Sequence, residues 1–334
     1  MFATMAGEVN PAHVDPEYAR SAQFREIAAH GMWGSAMIAN LLRSLKLPEG
    51  ARVAVQVEKS VEAMVLYLAT LRAGYVFLPL NTAYQSAEIE YFIGNAEPAV
   101  VVCTPRNFGW VSKIAFTAGT KHVFTLGDDR TGSLLERAVH CSDRHTPAVK
   151  ADDDLAAILY TSGTTGRSKG AMLSHGNMLS NARVLQRYWG WRTPEQGGDV
   201  LVHALPIFHV HGLFVASHGA LLNGSRMIWF SKFDPAATVA RLREATVFMG
   251  VPTLYVRMLA EPSLTAEACA HMRLFISGSA PLLTETFGAW QARTGHTILE
   301  RYGMSETVML TSNPCHAADG QRRGGTVGFP LPGV

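Results

Sequence analysis

No apolar run in this 334-residue sequence approaches the roughly 18 residues that a membrane-spanning helix needs. Cysteine is scarce. Cys103, Cys141, Cys269 and Cys315 are widely spaced, so no C-x-x-C pair exists, and four thiols in a chain of this length do not make a disulfide scaffold. Charge of one sign is not in excess either. Lys+Arg is 29 against Asp+Glu 27, a formal net charge of +2, which argues against wholesale nucleic-acid binding. The first twenty residues have no basic stretch followed by an apolar one and carry Glu8, Asp15 and Glu17, which argues against a targeting segment. Internal repeats and low-complexity tracts are absent. These absences lead us to expect a soluble, cytoplasmic protein with no membrane and no nucleic-acid partner.

Apolar residues are abundant, at 48%, against 17% charged, enough to bury a large core. Residues 1–30 read as a loose tail, although the mostly helical pattern already begins at Phe24 and runs to Leu47. Strands and helices then alternate. Arg52–Val57, Val76–Leu80 and Ala99–Cys103 read as strands, and Val61–Arg72 and Glu88–Asn95 as helices. The polar stretch 127–153 reads as a surface segment between two lobes. Further strands are expected at Leu155–Tyr160, Val200–Leu205, Arg226–Phe230, Thr246–Met249, Leu274–Ile276 and Thr297–Leu299. Such alternation predicts an α/β protein with two doubly wound sheets, one lobe over 31–150 and the other over 151–323.

The segment Thr161–Gly170, TSGTTGRSKG, consists only of Gly, Ser, Thr, Lys and Arg and follows an apolar strand. Glycines let a backbone fold closely around an anion, and hydroxyls, amides, Arg167 and Lys169 supply donors and positive charge. That chemistry suits a polyphosphate. Lys169 follows Gly166 by three residues, which is not the spacing of a Walker loop. His209 and His211 form an H-x-H pair past a strand end. It reads as a metal site lacking a visible third ligand, or as structural histidine. Ser277-Gly278-Ser279-Ala280-Pro281 offers small residues that a flat ring can approach, or a plain turn.

The stretch LYTSGTTGRSKGAMLSH closely resembles the phosphate-loop signature of the adenylate-forming superfamily, which includes acyl-CoA synthetases, luciferases and peptide-synthetase adenylation domains. The resemblance covers about Gly31 to Val334. Within the superfamily VEKSVEAMVLYLATLRAG, LPLNTAY, HALPIFHVHGLFVA, MRLFISGSAPLL and ERYGMSET look most like malonyl-CoA synthetases.

The resemblance implies an AMP-forming acid–thiol ligase using ATP, Mg²⁺ and coenzyme A on malonate or methylmalonate. It implies phosphate binding by Thr161, Ser162, Gly163, Thr164, Thr165, Gly166, Lys169 and Ser305. It implies an adenine pocket of Ser277, Gly278, Ser279, Ala280, Pro281, Tyr302 and Gly303, with Val210 and Met304 flanking the acid pocket. His209, Arg301 and Glu306 are the expected catalytic residues, with Glu306 holding Mg²⁺.

Arg301 stands where most fatty-acid and aryl-acid relatives are uncharged. A guanidinium in an apolar pocket demands a carboxylate, so a dicarboxylate substrate, paired with Arg301 and His209, explains it. A salt bridge with an acidic neighbour such as Glu300 is the competing reading. Ser305 replaces the family's usual Thr and keeps the hydroxyl.

Relatives extend beyond a position matching Val334, with an Asp on the ATP ribose and a Lys that assists adenylation. They also carry additional strand-forming sequence before the first helix. We therefore expect weak nucleotide binding and reduced or no thioester synthesis by these residues alone, with 324–334 as the start of an incomplete β-barrel subdomain. The alternatives are a ligase for another carboxylic acid and a non-catalytic nucleotide-binding fragment.

Overall fold

The computed structural model describes residues 31–161 and 167–334, without the side chains of residues 31–33. The chain divides into two compact units. One comprises the chain up to Leu78 together with Tyr84–Val149; the other comprises Pro79–Ala83 and Lys150–Val334.

In the first unit the described chain opens with helix α1 (Gly31–Ser44), strand β1 (Arg52–Gln56) and helix α2 (Val61–Arg72). Strand β2 (Val76–Pro79), helix α3 (Ser86–Ala96) and strand β3 (Val100–Cys103) follow. Helix α4 (Phe108–Thr117), strand β4 (His122–Thr125) and helix α5 (Ser133–Ala138) complete it. The strands lie in the order β4-β3-β1-β2. β1 and β3 run parallel, with Val53 opposite Val100, and all four β3 residues are buried, as a strand covered on both faces requires. Helix α2 begins where Ser60 Oγ accepts the Ala63 amide at 3.0 Å, a cap that satisfies an otherwise unpaired donor. Helix α3 buries Ile89, Phe92, Ile93 and Ala96, one stripe at helical spacing.

The polar segment expected to be pure surface carries α5. Its continuation is strapped down where Asn40 Nδ2 donates to the Ser142 and Arg144 carbonyls, each at 2.8 Å. Helix α4 and strand β4 have no counterpart in the sequence reading.

In the second unit strands β5 (Leu155–Thr161) and β6 (Lys169–Ser174) form an antiparallel hairpin, with Thr161 opposite Lys169. The sequence reading placed a loop running directly toward the helix at His175. The structure inserts β6, because the residues after Gly166 pair back onto the apolar strand. Helix α6 (His175–Tyr188) does start as expected. Ser174 Oγ accepts from the Asn177 amide at 3.1 Å and Asn177 Oδ1 from the Ser174 amide at 3.0 Å.

Strand β7 (Val200–His203) leads into a seven-residue π-helix (His211–Ser217) and helix α7 (His218–Leu222). Strand β8 (Arg226–Trp229), helix α8 (Pro235–Arg241), strand β9 (Val247–Gly250) and helix α9 (Pro252–Leu259) come next. Strand β10 (Leu274–Ser277), helix α10 (Thr284–Thr294), strand β11 (Leu299–Tyr302), strand β12 (Thr311–Ser312) and strand β13 (Phe329–Pro330) finish the unit.

These last strands form a seven-stranded sheet, ordered β13-β12-β11-β10-β9-β7-β8. From β8 to β11 every pairing is parallel; β12 and β13 add antiparallel. The C-terminal β structure therefore extends this sheet, and no closed barrel forms among the described residues. Strand β11 also lies later than the expected 297–299, which puts Arg301 inside a strand.

The core of the second unit is aromatic. Tyr255 and Phe275 meet the fully buried Trp290 edge-on, each at 4.9 Å between centroids. A buried ion pair ties loops to this sheet. Arg273 donates to Asp199 at 2.6 and 3.1 Å, while Thr246 Oγ1 and the Arg192 amide also donate to that carboxylate. Burial alone would raise the Asp199 pKa, but these donors win and hold it below the ordinary value.

Candidate functional site

Parallel strands end at one edge of a sheet, so the segments leaving β7, β10 and β11 gather there. Arg301 reaches this cluster from β11. It is 2% exposed, and its guanidinium lies flat against Gly278, where a Cβ would sit 2.5 Å from Arg301 Cζ. Only a glycine at 278 leaves room for this approach. Burial pulls the Arg301 pKa down to about 9, with Tyr255 pulling the other way, so the group is cationic at neutral pH. Its Nε and Nη2 have no hydrogen-bond partner among the described residues.

The adjacent acid does not neutralise it. Residues alternate sides along a strand, and Glu300 Oε1 instead accepts the Leu282 amide at 2.8 Å. Burial raises the Glu300 pKa, the Leu282 amide opposes that, and Glu300 Oε2 has no partner among the described residues. Beneath the cluster, the Tyr255 hydroxyl donates to the Ile276 carbonyl at 2.6 Å.

The two histidines of the H-x-H pair separate. His209 is exposed and packs edge-on against Phe208 at 4.6 Å between centroids. His211 is buried and lies 3.3 Å, Nδ1 to Oγ, from Ser279. Burial, then the positive charge of Arg301, then His203 and His209, drive the His211 pKa well down, so its ring is neutral. Its Nε2 lacks a partner among the described residues. Ser277 Oγ is likewise buried and unpartnered there. The structure thus sets His211, not His209, against Ser279 and under the influence of Arg301. The alternation of sides that separates the pair comes from entry into the π-helix, which no residue-type pattern announces.

Among the other expected residues, Val210 is buried, and Ser279, Ala280 and Pro281 are exposed, Ser279 with a left-handed φ of 71°. Tyr302 is 44% exposed and Met304 43%, open to stacking partners. Gly303 and Ser305 are half-buried, and Glu306 is exposed. Thr161 Oγ1 lies 3.5 Å from the Lys169 carbonyl, so the two ends of the glycine-rich loop are adjacent. Ser162, Gly163, Thr164, Thr165 and Gly166 lie outside the described residues. Among the described residues no three His, Cys, Asp or Glu side chains converge as a metal cage, so the H-x-H pair gains no third ligand. A lone exposed carboxylate such as Glu306 does suit Mg²⁺, which commonly takes one or two protein carboxylates with phosphate oxygens. A surface cavity of about 680 Å³ between α6 residues Arg183 and Arg187 and the His316 and Pro332 side shares no residue with this cluster. No helix among the described residues is long and apolar enough to cross a membrane.

The family model described as AMP-binding enzyme matches residues 34–334. The chain is 34% identical over 310 residues to a malonate–CoA ligase of Arabidopsis thaliana, covering 86% of this chain and 49% of that protein. It is similar to the crystal structure of ATP-bound MatB from Rhodopseudomonas palustris, with a TM-score of 0.86 and 54% identity, covering 93% of this chain and 59% of that one. A malonyl-CoA ligase ternary product complex with methylmalonyl-CoA and AMP bound gives a TM-score of 0.70 at 33% identity, over 90% of this chain and 60% of that one. The chain thus spans about half the length of the curated relatives it matches. With the family model covering nearly all of the described fold, this chain belongs to the AMP-binding enzymes.

Proposed function

We propose that the protein of which this chain is the sequence serves the ATP-dependent ligation of a short dicarboxylate, malonate or methylmalonate, to coenzyme A. The observation that carries the reading is the buried Arg301 guanidinium with two donors unpartnered among the described residues. A lone buried charge costs several kcal/mol, which an anionic ligand offsets. A planar guanidinium fork suits a carboxylate in bidentate fashion. Neutral His211 lies with Nδ1 3.3 Å from Ser279 Oγ and its buried Nε2 unpartnered among the described residues, and we assign Nε2 as a second donor to the same anion.

The non-reacting carboxylate is held by Arg301 and His211. An oxygen of the other carboxylate attacks the α-phosphorus of ATP. The bond to the bridging oxygen breaks, pyrophosphate leaves, and an acyl-adenylate forms. The thiolate of coenzyme A then attacks the acyl carbon and expels AMP. The first step needs in-line positioning and neutralised charge more than covalent help. Thr161, Lys169, Ser305 and the loop between β5 and β6 are the groups we assign to the phosphates. Tyr302 and the 277–281 segment are assigned to adenine. Glu306 is the residue we assign to Mg²⁺, which when bound neutralises phosphate charge.

Calorimetric titration with malonate and with acetate, each in the presence of ATP and Mg²⁺, tests this. The expected result is malonate binding that Arg301→Ala weakens by about 30-fold or more, with ATP binding unchanged. Equal affinity for malonate in wild type and variant refutes the dicarboxylate assignment.

A further inference from the structure

We infer that His203 is a positioning residue for the acid pocket, acting through the π-helix that carries His211; the inference deepens the dicarboxylate reading and rests on it only for its ligand. Seven-residue π-helices are rare and collect at functional sites. This one is buried along its whole length, from His211 to Ser217. Its wide turn is closed by side chains. Ser217 Oγ donates to the Gly212 carbonyl at 2.8 Å, and His203 Nε2 lies 3.0 Å from both that carbonyl and Ser217 Oγ.

A carbonyl only accepts, and the Ser217 proton already goes to it. His203 Nε2 therefore carries hydrogen; a bare nitrogen would set its lone pair against the Gly212 oxygen. His203 is itself fixed. It ends β7 and is paired in register with Trp229 of β8, and its ring packs on the Trp229 ring at 4.6 Å between centroids. On the other side of the turn the Gly212 backbone lies close against the Pro206 carbonyl, where a Cβ would collide with the oxygen. The carbonyl gripped by His203 thus belongs to the residue directly after His211. Loosening it rotates the first turn of the π-helix and with it the His211 ring, which reaches Ser279 across 3.3 Å. Two other expected site residues adjoin this turn: Val210, and His209, whose carbonyl accepts the Leu213 amide at 3.0 Å.

Two variants separate positioning from folding. His203→Gln places an amide donor close to the position of Nε2, whereas His203→Leu keeps bulk and removes the donor. The first readout needs no ligand: ¹⁵N imidazole spectra of histidine-labelled protein, with the His211 signals assigned by His211→Asn. We expect His203→Leu to displace the His211 nitrogen signals and His203→Gln to restore them. Unchanged His211 signals in folded His203→Leu overturn the inference. The second readout is affinity by titration with malonate and with ATP. His203→Leu should weaken malonate binding about tenfold and leave ATP binding within twofold, and His203→Gln should stay within about threefold of wild type. Equal loss of malonate and ATP binding overturns the inference in favour of a general structural role. If wild type binds no malonate while the His211 signals still follow His203, the dicarboxylate reading falls and the positioning role stands.

Discussion

Replacing Arg301 by Met should make the ligand-free chain more stable and blind to malonate. The guanidinium is 2% exposed, and its Nε and Nη2 make no hydrogen bond among the described residues. Replacing a buried, poorly compensated charge with an apolar side chain of similar volume stabilises by about 1–4 kcal/mol. Methionine is unbranched and adaptable, so it can follow the Arg301 stem over Gly278 without a collision. At about 2 °C per kcal/mol for a chain of this size, the melting temperature should rise by about 2–8 °C. Wild type, in contrast, should gain about 2.7 kcal/mol from malonate at 100 times its Kd, and the Met variant should gain nothing. Thermal unfolding followed by circular dichroism, with ATP and Mg²⁺ present and with malonate, acetate or neither, measures both effects. Two results would refute the reasoning. A fall of several degrees in the ligand-free Met variant would mean that the guanidinium is already satisfied. A malonate shift as large as in wild type would mean that the second carboxylate binds elsewhere.

Acid should destabilise the second unit well above the carboxylate range. His218 titrates near 4 in the folded chain against 6.5 when free, and burial lowers His211 too. Between these values the unfolded chain binds protons that the folded chain does not, so stability is full above pH 6.5 and falls as the pH drops toward 4. His218 alone accounts for about 3 kcal/mol of that loss, readable by urea unfolding at pH 7 and pH 4.5 and flattened in His218→Gln. Asp199→Asn should cost about 3 kcal/mol by the same assay, because it leaves the half-buried Arg273 without its counter-charge; a loss under 1 kcal/mol would contradict the account of that network. Glu306→Gln should weaken ATP binding measured with Mg²⁺ and leave binding measured in EDTA unchanged, since the role proposed for the exposed carboxylate is to hold the ion.

Much of the fold is legible in the sequence. Val61–Arg72 reads as a helix and is one, with the same ends, because Ser60 caps it and Ala73-Gly74 closes it. The buried strands of both sheets show as short apolar runs, as strands covered on both faces must. Strand β6 does not show, since Lys169–Ser174 is half polar and becomes a strand only by pairing with β5. Helix α5 hides in a polar stretch for a related reason: it is short and held by neighbours more than by its own pattern. Two-residue strands β12 and β13 carry no periodicity at all.

The sequence by itself determined the family, through a loop composition and a set of motifs that no generic α/β chain would carry, and it singled out Arg301 as a charge needing a partner. Tertiary structure alone decided which histidine shares that charge's surroundings. His209 and His211 are two residues apart and chemically identical. A β-strand would have put both on one face, but His209 is left exposed in the bend before the π-helix and His211, its first residue, is buried near Ser279. That helix in turn is held by hydrogen bonds from His203 and Ser217, to which the sequence reading gave no role. Spacing along the chain records which groups are available; the direction each one points is set by the backbone hydrogen bonds around it.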